Sequence, residues 1–234
     1  MAMLKVEHIS RSFGPLQVLK DFSLEFPEGE ITAILGPSGC GKTTLLNIMA
    51  GLLEADQGKV GTTDQVSYLF QEPRLLPWLT IEGNITLVLQ EKIPNREIKE
   101  RVNENLEATG LSEYADYYPS QLSGGMLQRA AMARAFSYDA PLLLMDEPFK
   151  SLDMKTRYRL IDDFLLLWRR KPRTVIMVTH DVREAVILGG KIVVLSEKPP
   201  TVLGEYQNKR DSKELLPGDV SDLEVKILRL LLEN

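Results

Sequence analysis

The amino-acid sequence predicts an α/β fold with a mainly parallel sheet, an N-terminal antiparallel β subdomain and an α-helical subdomain. Three observations carry that prediction. Residues 31–35, 140–145 and 174–178 are almost unbroken apolar runs, the pattern of strands buried on both faces of a parallel sheet. The stretch 154–170 between the last two is helical in pattern, so strand, helix and strand read as a right-handed crossover unit. The first thirty residues behave differently, because Phe22, Leu24 and Phe26 alternate with Ser23 and Glu25 as in a half-buried antiparallel strand.

Along the chain, residues 1–30 and 58–65 form the expected antiparallel part, with a turn at Pro27-Glu28-Gly29-Glu30. A strand over 31–35, a Gly-rich loop and a helix over 44–50 come next, followed by an extended stretch at 66–70. The helical part spans about 80–135. Within it Ile98, Val102, Leu106 and Ala108 make one apolar stripe among Glu97, Lys99, Glu100, Arg101, Glu104 and Glu107. Residues 206–234 form a short tail, a polar loop and then a helix opened by a Ser221-x-x-Glu224 capping box, with Ile227, Leu228 and Leu231 on one side. No internal repeat is visible, and the whole of 1–234 reads as a single domain.

Composition narrows the possible functions. With 44% hydrophobic and 26% charged residues over 234 positions, the chain has the make-up of a soluble globular protein. No apolar run is long enough to span a bilayer or to open the chain as a secretory signal, which predicts a cytosolic location. A net charge of −5 and a pI near 5.3 argue against nucleic acid as a partner. The single cysteine, Cys40, excludes an internal disulfide.

The Gly-rich loop is GPSGCGKT, in which Gly36, Gly41, Lys42 and Thr43 fit the phosphate-loop pattern G-x-x-x-x-G-K-[ST]. A chain this long would match it by chance about once in a hundred. Its place between a strand and a helix is what nucleotide triphosphate binding needs. Glycines allow the backbone N–H groups of Gly36, Pro37, Ser38, Gly39, Cys40, Gly41 and their neighbours to close on phosphate oxygens, apart from Pro37, which has no N–H. The helix N-terminus adds partial positive charge there. Lys42 reaches the β and γ phosphates, the Thr43 hydroxyl ligates Mg²⁺, and Thr44 continues the loop into the helix. Cys40 is read as a small side chain filling a crowded turn, with a thiol whose modification blocks nucleotide binding as the alternative.

The same edge of the sheet collects acids. Asp146 and Glu147 end a buried strand, where an open α/β sheet faces its ligand. Asp146 is expected to hold Mg²⁺ and Glu147 to polarise the attacking water. His180 ends the next strand, where a γ-phosphate would be sensed, whereas His8 in the N-terminal strand reads as structural. Gln71 ends the extended stretch 66–70; its amide can ligate Mg²⁺ or position water and so report the γ-phosphate to the segment behind it. Phe13 is a candidate to stack on adenine, a contact worth about 1 to 3 kcal/mol by analogy with other base stacking; read alone, it belongs to the core.

GPSGCGKT, Gln71, LSGG at 122–125, LLLMDEP at 142–148, SLD at 151–153 and His180 together resemble the ATP-binding subunit of ABC transporters, in order and rough spacing, over nearly the whole chain to about residue 205. The resemblance implies a P-loop NTPase core that binds ATP and Mg²⁺ and hydrolyses ATP. It also implies a head-to-tail dimer of two copies, in which the phosphate loop of one faces Ser123, Gly124 and Gly125 of the other, with Gln128 and Asp153 near the same nucleotide. Membrane permease subunits would then be separate chains, the protein would sit on the cytoplasmic face of the membrane, and an extracytoplasmic solute-binding protein would act indirectly. The segment FQEPRLLPW at 70–78 resembles the branch importing nitrate, sulfonates, taurine and related solutes, and implies the groove where the permease docks. Two positions depart from the family pattern. Met126 stands where Gln is usual, and Lys150 precedes SLD where a small residue is usual; Lys150 is read as a solvated cation, a role in tuning dimerisation being the alternative. The competing function is a soluble ABC ATPase of DNA repair, translation or cluster assembly, but the chain has no long heptad run and only one nucleotide domain. A P-loop kinase would leave LSGG and His180 without a purpose.

Overall fold

Five parallel strands set the geometry of this protein, and their C-terminal ends line up along one edge. The computed structural model describes residues 3–61, 65–90, 92–150, 152–208 and 222–233. Strands β1 (Met3–Phe13), β2 (Leu16–Pro27) and β4 (Gln57–Gly61) form a small antiparallel sheet in the order β2-β1-β4. The large sheet is ordered β5-β6-β7-β3-β8-β9, built from β3 (Ile31–Leu35), β5 (Val66–Leu69), β6 (Leu142–Asp146), β7 (Thr174–Thr179), β8 (Lys191–Leu195) and β9 (Val202–Gln207). All its pairings are parallel except that of β9 with β8.

Every residue of β3, β6, β7 and β8 is buried. The reason is the two-residue period of a strand whose two faces are both covered. Ala33, Leu143, Met145, Val175, Met177, Ile192 and Val194 enter one core, while Ile34, Leu142, Leu144, Ile176, Val178, Val193 and Leu195 enter the other. Helix α1 (Lys42–Met49) and the small sheet close the second core through Leu45, Leu46, Phe22, Leu24 and Phe26. The first core is closed by α5 (Met154–Arg170), α6 (Val182–Leu188) and α7 (Asp222–Glu233).

A third core holds the helical part, where α2 (Ile81–Leu89) and α3 (Asn95–Ala108) pack on α4 (Gly124–Ser137). Within the helical part expected over about 80–135, α2 and α3 are separate helices, because Pro94 cannot extend a helix from within and stands at the N-cap of α3. Helix α4 is the shared wall. Ala130 and Ala133 face the helical core while Ala131, Met132, Ala135 and Phe136 face the sheet, and a run of small residues lets both sides approach.

Several expectations are revised here. Phe13 is not core: it is 46% exposed at the end of β1, with the Arg11 guanidinium 4.9 Å from its ring centre. His8 lies on the surface at an irregular point of β1, with Nδ1 2.7 Å from Asp21 Oδ1. In α7 Leu228 faces out, and the inward set is Leu223, Ile227, Leu230 and Leu231, since the helix meets the sheet about one residue round from the face the sequence suggests. Ser221 of the expected capping box, Ser151 of SLD and residues 62–64 of the antiparallel part lie outside the described residues. The β8–β9 pair was not anticipated at all.

Candidate active site

Register brings the site together. Leu35 pairs with Thr179, Asp146 with Val178 and Leu69 with Met145, so the loops after β3, β6, β7 and β5 leave the sheet side by side. Those loops carry the phosphate loop, Glu147, His180 and Gln71, which is the crevice outside the carboxyl ends of parallel strands. Gln71 occupies the bend just after β5 with an exposed side chain.

The phosphate loop needs its glycines for specific reasons. Gly41 has φ 119°, and a Cβ there would lie 3.1 Å from Val18 Cγ1. A Cβ on Gly36 would meet Cys40 Sγ at 3.1 Å and Leu195 Cβ at 3.2 Å, so the loop sits tightly against β8. Cys40 is 2% exposed and fills that turn, as the smaller-role reading holds. Helix α1 makes its first bond from Leu45 N–H to Gly41 O, which leaves the N–H groups of Lys42, Thr43 and Thr44 ahead of the helical ladder. No acidic residue occupies its first turn, and the N-terminus is therefore suited to an anion. The Lys42 ammonium is buried and donates to Gly36 O at 2.7 Å and Pro37 O at 2.8 Å, contacts it would exchange for phosphate oxygens.

The residues fit Mg²⁺ as well. Thr43 Oγ1 donates to Asp146 Oδ1 at 3.1 Å, which places a hydroxyl and a carboxylate oxygen together beside the phosphate loop. Burial raises the Asp146 carboxyl above its ordinary value, and the neighbouring Glu147 pushes the same way. A hard divalent cation offsets that penalty, and one carboxylate plus phosphate oxygens and water is a usual Mg²⁺ set.

Glu147 stands at φ 42° and is held there by its N–H bond to Val178 O at 3.0 Å. Its Oε2 receives His180 Nδ1 at 3.1 Å and Lys150 Nζ at 2.6 Å. Burial pushes the carboxyl up, but the Lys150 hydrogen bond and the charges of His180 and Lys150 bring it below the usual range. Lys150 is exposed, as a solvated cation would be, yet its ammonium is not free in solvent, because the tight turn at 147–150 folds it back onto the candidate base.

Behind this pair lies a polar network that the sequence reading missed. Arg157 of α5 donates to Asp181 Oδ2 at 2.9 Å and approaches Glu184 Oε1 at 3.7 Å, while Thr179 Oγ1 donates to Glu184 Oε2 at 2.8 Å. Burial pushes Glu184 up to about 7, with Asp181 and Glu147 adding to the rise and Thr179 and Arg157 offsetting part of it. An acid whose folded value lies above its unfolded one stabilises the fold fully below about pH 4.5 and loses that contribution as pH rises through about 7. Glu184→Gln is therefore expected to remove a stability loss of up to roughly 3 kcal/mol between those limits. Denaturant unfolding at several pH values checks it; equal slopes in both proteins would refute the assignment.

Ser123, Gly124 and Gly125 open α4, with Ser123 Oγ accepting from Met126 N–H at 3.4 Å and no acid in the first turn. Ser123 and Gly124 are exposed, and α4 packs on α2, α3, β5 and α5 rather than on α1. Gln128 does not share their surface. It is 4% exposed and its Nε2 donates to Pro148 O at 2.5 Å, so it ties α4 to the loop of Glu147 instead of facing a nucleotide. Asp153 caps α5 by accepting from Thr156 N–H at 3.1 Å.

The segment after Gln71 is fixed from two sides. Asn84 accepts from Leu76 N–H and donates to Leu76, Leu79 and Thr80 carbonyls, and Arg134 of α4 donates to Arg74 O at 2.7 Å and Pro73 O at 2.9 Å. Trp78 projects from it, 69% exposed.

Comparison with known proteins agrees with this geometry. Residues 19–150 match the family described as ABC transporter. An aliphatic sulfonates import ATP-binding protein of Bacillus cereus is 39% identical over 211 residues, covering 87% of this chain and 83% of that protein. One from Pseudomonas syringae pv. tomato is 42% identical, covering 88% and 89%. Among solved structures, a dimeric bacterial ABC transporter cassette superposes with a TM-score of 0.78 at 31% identity, over 88% of this chain and 99% of that one. A dimeric post-hydrolysis state of the same cassette, bound to ADP and Pi, superposes with a TM-score of 0.74 at 30% identity and the same coverage.

Proposed function

Since this chain belongs to the ABC transporter family and is an ATPase that binds ATP with Mg²⁺, we propose that it powers import of an organosulfonate or a related small oxyanion through separate membrane permease subunits. The observation that carries the transport reading is the segment after β5. Its exposed Trp78 and half-buried Leu75 and Leu76 sit on a loop clamped by Asn84 and Arg134, a rigid apolar surface that a membrane partner would cover. No helix among the described residues is long and apolar enough to cross a membrane; in the proposed arrangement the channel is formed by other chains and this protein binds them at the cytoplasmic face. That relatives at 39% and 42% identity are aliphatic sulfonates import ATP-binding proteins supports the solute class.

In this reading the chain acts as one ATPase unit whose copies meet head to tail. Lys42 and the N–H groups at the start of α1 would hold the β and γ phosphates, and Thr43 and Asp146 would hold Mg²⁺, which when bound would supply positive charge to the phosphate oxygens. Ser123 and Gly124 of a second copy present the free N-terminus of α4 to the γ-phosphate. Glu147 takes a proton from the attacking water, and His180 holds the γ-phosphate side of the site. Loss of that phosphate removes the anion between the two copies, and the change reaches the permease through Gln71 and the loop that follows. A solute-binding protein outside the membrane would deliver the cargo.

Gentle solubilisation of membranes from cells carrying a tagged copy, followed by mass spectrometry, tests the reading. A multi-span permease in stoichiometric amount is the expected result. Recovery from the soluble fraction alone, with ribosomes or DNA, would end the transport proposal and leave the ATPase.

A further inference from the structure

We propose that Lys150 is a positioning residue that restrains Glu147 in the single subunit and so suppresses ATP turnover until two copies close. The inference rests on the assignment of Glu147 as the base. Three fixed points make the ion pair a built feature instead of an incidental surface contact. The turn 147–150 is closed by Lys150 N–H on Glu147 O at 3.1 Å, Phe149 within it is fully buried, and Gln128 holds Pro148 O from α4. Lys150 is therefore delivered to the carboxylate by backbone already ordered, so that only side-chain freedom is lost in forming the contact.

The contact has a chemical consequence. Lys150 and His180 both bind Oε2 of Glu147, so the base and the γ-phosphate-facing histidine are engaged with each other and with the ammonium. With the ammonium and the imidazole both on Oε2, that oxygen is already occupied and is less available to an attacking water. Arg157, Asp181 and Glu184 lie in the same small cavity with Glu147, Lys150, Thr179 and His180, and Arg157 is committed to Asp181. Among the described residues Lys150 is the Lys or Arg side chain that bonds directly to Glu147, beside His180 on the same oxygen. At 37% exposure it sits at the rim, where the approach of a second copy and its bound triphosphate offers the ammonium other anionic partners. Closure then releases Glu147.

Steady-state ATP hydrolysis by the purified full chain with Mg²⁺, at protein concentrations below and above dimer formation, tests the proposal with Lys150→Ser, Lys150→Arg and Glu147→Gln. Expected is a rise in kcat of about threefold or more for Lys150→Ser at low concentration, shrinking at high concentration. KM for ATP and binding of a non-hydrolysable analogue should stay unchanged. Lys150→Arg, which keeps the charge and the reach, should raise kcat less. Unchanged or lower turnover in Lys150→Ser, or an equal rise in Lys150→Arg, overturns the restraint. Glu147→Gln separates the two levels: if it hydrolyses ATP normally the base assignment itself fails, whereas an inactive Glu147→Gln beside an unchanged Lys150→Ser removes only the role of Lys150.

Discussion

Glu147→Gln is expected to lower ATP turnover by about 100-fold or more while ATP binding is retained. The amide has the same shape as the carboxylate, so the left-handed backbone at φ 42° and the bond to Val178 O are undisturbed. What is lost is the group that can take a proton from water, and among the described residues no other carboxylate is placed to substitute, Asp181 being held by Arg157. Asp146 is tied to Thr43, and Glu184 is buried behind Thr179. The phosphate loop, Lys42 and the start of α1 are untouched, and equilibrium binding of ATP measured by calorimetry should match the unmodified chain. Since the γ-phosphate would then persist between two copies, gel filtration with MgATP should show a dimer that the unmodified chain forms only transiently. Turnover within a fewfold of normal would take Glu147 out of the base role.

Gly124→Asp should separate stability from activity more sharply. Gly124 is exposed, its φ is not left-handed, and an added Cβ would meet nothing within 4 Å, so the fold has room for the side chain. A carboxylate in the first turn of α4 even favours the helix, by about 0.3 to 1 kcal/mol. The same charge would meet the γ-phosphate of the other copy and is expected to abolish hydrolysis, at least 100-fold at saturating ATP. A head-to-tail arrangement makes a stricter prediction for mixtures. A Gly124→Asp copy paired with a Lys42→Ala copy places both defects in one of the two sites and leaves the other intact, so activity should return in the mixture where neither protein alone has any. Absence of recovery, with mixed dimers demonstrated by differential tags, would exclude shared sites.

Much of this was readable from local sequence because the physics is local. The phosphate loop is one contiguous strand, turn and helix, and Gly39 is required by its positive φ alone, although Gly36 and Gly41 are also pressed by Leu195 and Val18, which lie far away in the chain. The alternation in β2 and the apolar runs of β3, β6 and β7 follow from the two-residue period, and Asp146 and Glu147 are adjacent to the strand that delivers them. Their alignment with His180 was inferable from a rule about parallel sheets, although the register itself comes from pairing over more than thirty residues.

Other features had no local signature. Gln128 is five residues from Ser123, and nothing in α4 says which of its faces meets the sheet; only the packing on both sides turns Gln128 inward to Pro148. Phe13 and Leu228 are apolar, yet both are exposed because burial is set by where neighbouring elements lie. Lys150 stands three residues from Glu147, but whether it reaches Glu147 or solvent depends on Phe149 being anchored in a distant core. By itself the sequence determined most of the elements up to β7, the phosphate loop and the acidic strand end, since those rest on periodicity, backbone sterics and short-range bonds. The tertiary structure alone decided which faces turn inward and which charges meet, because burial and pairing energies arise only when segments far apart in the chain are packed together.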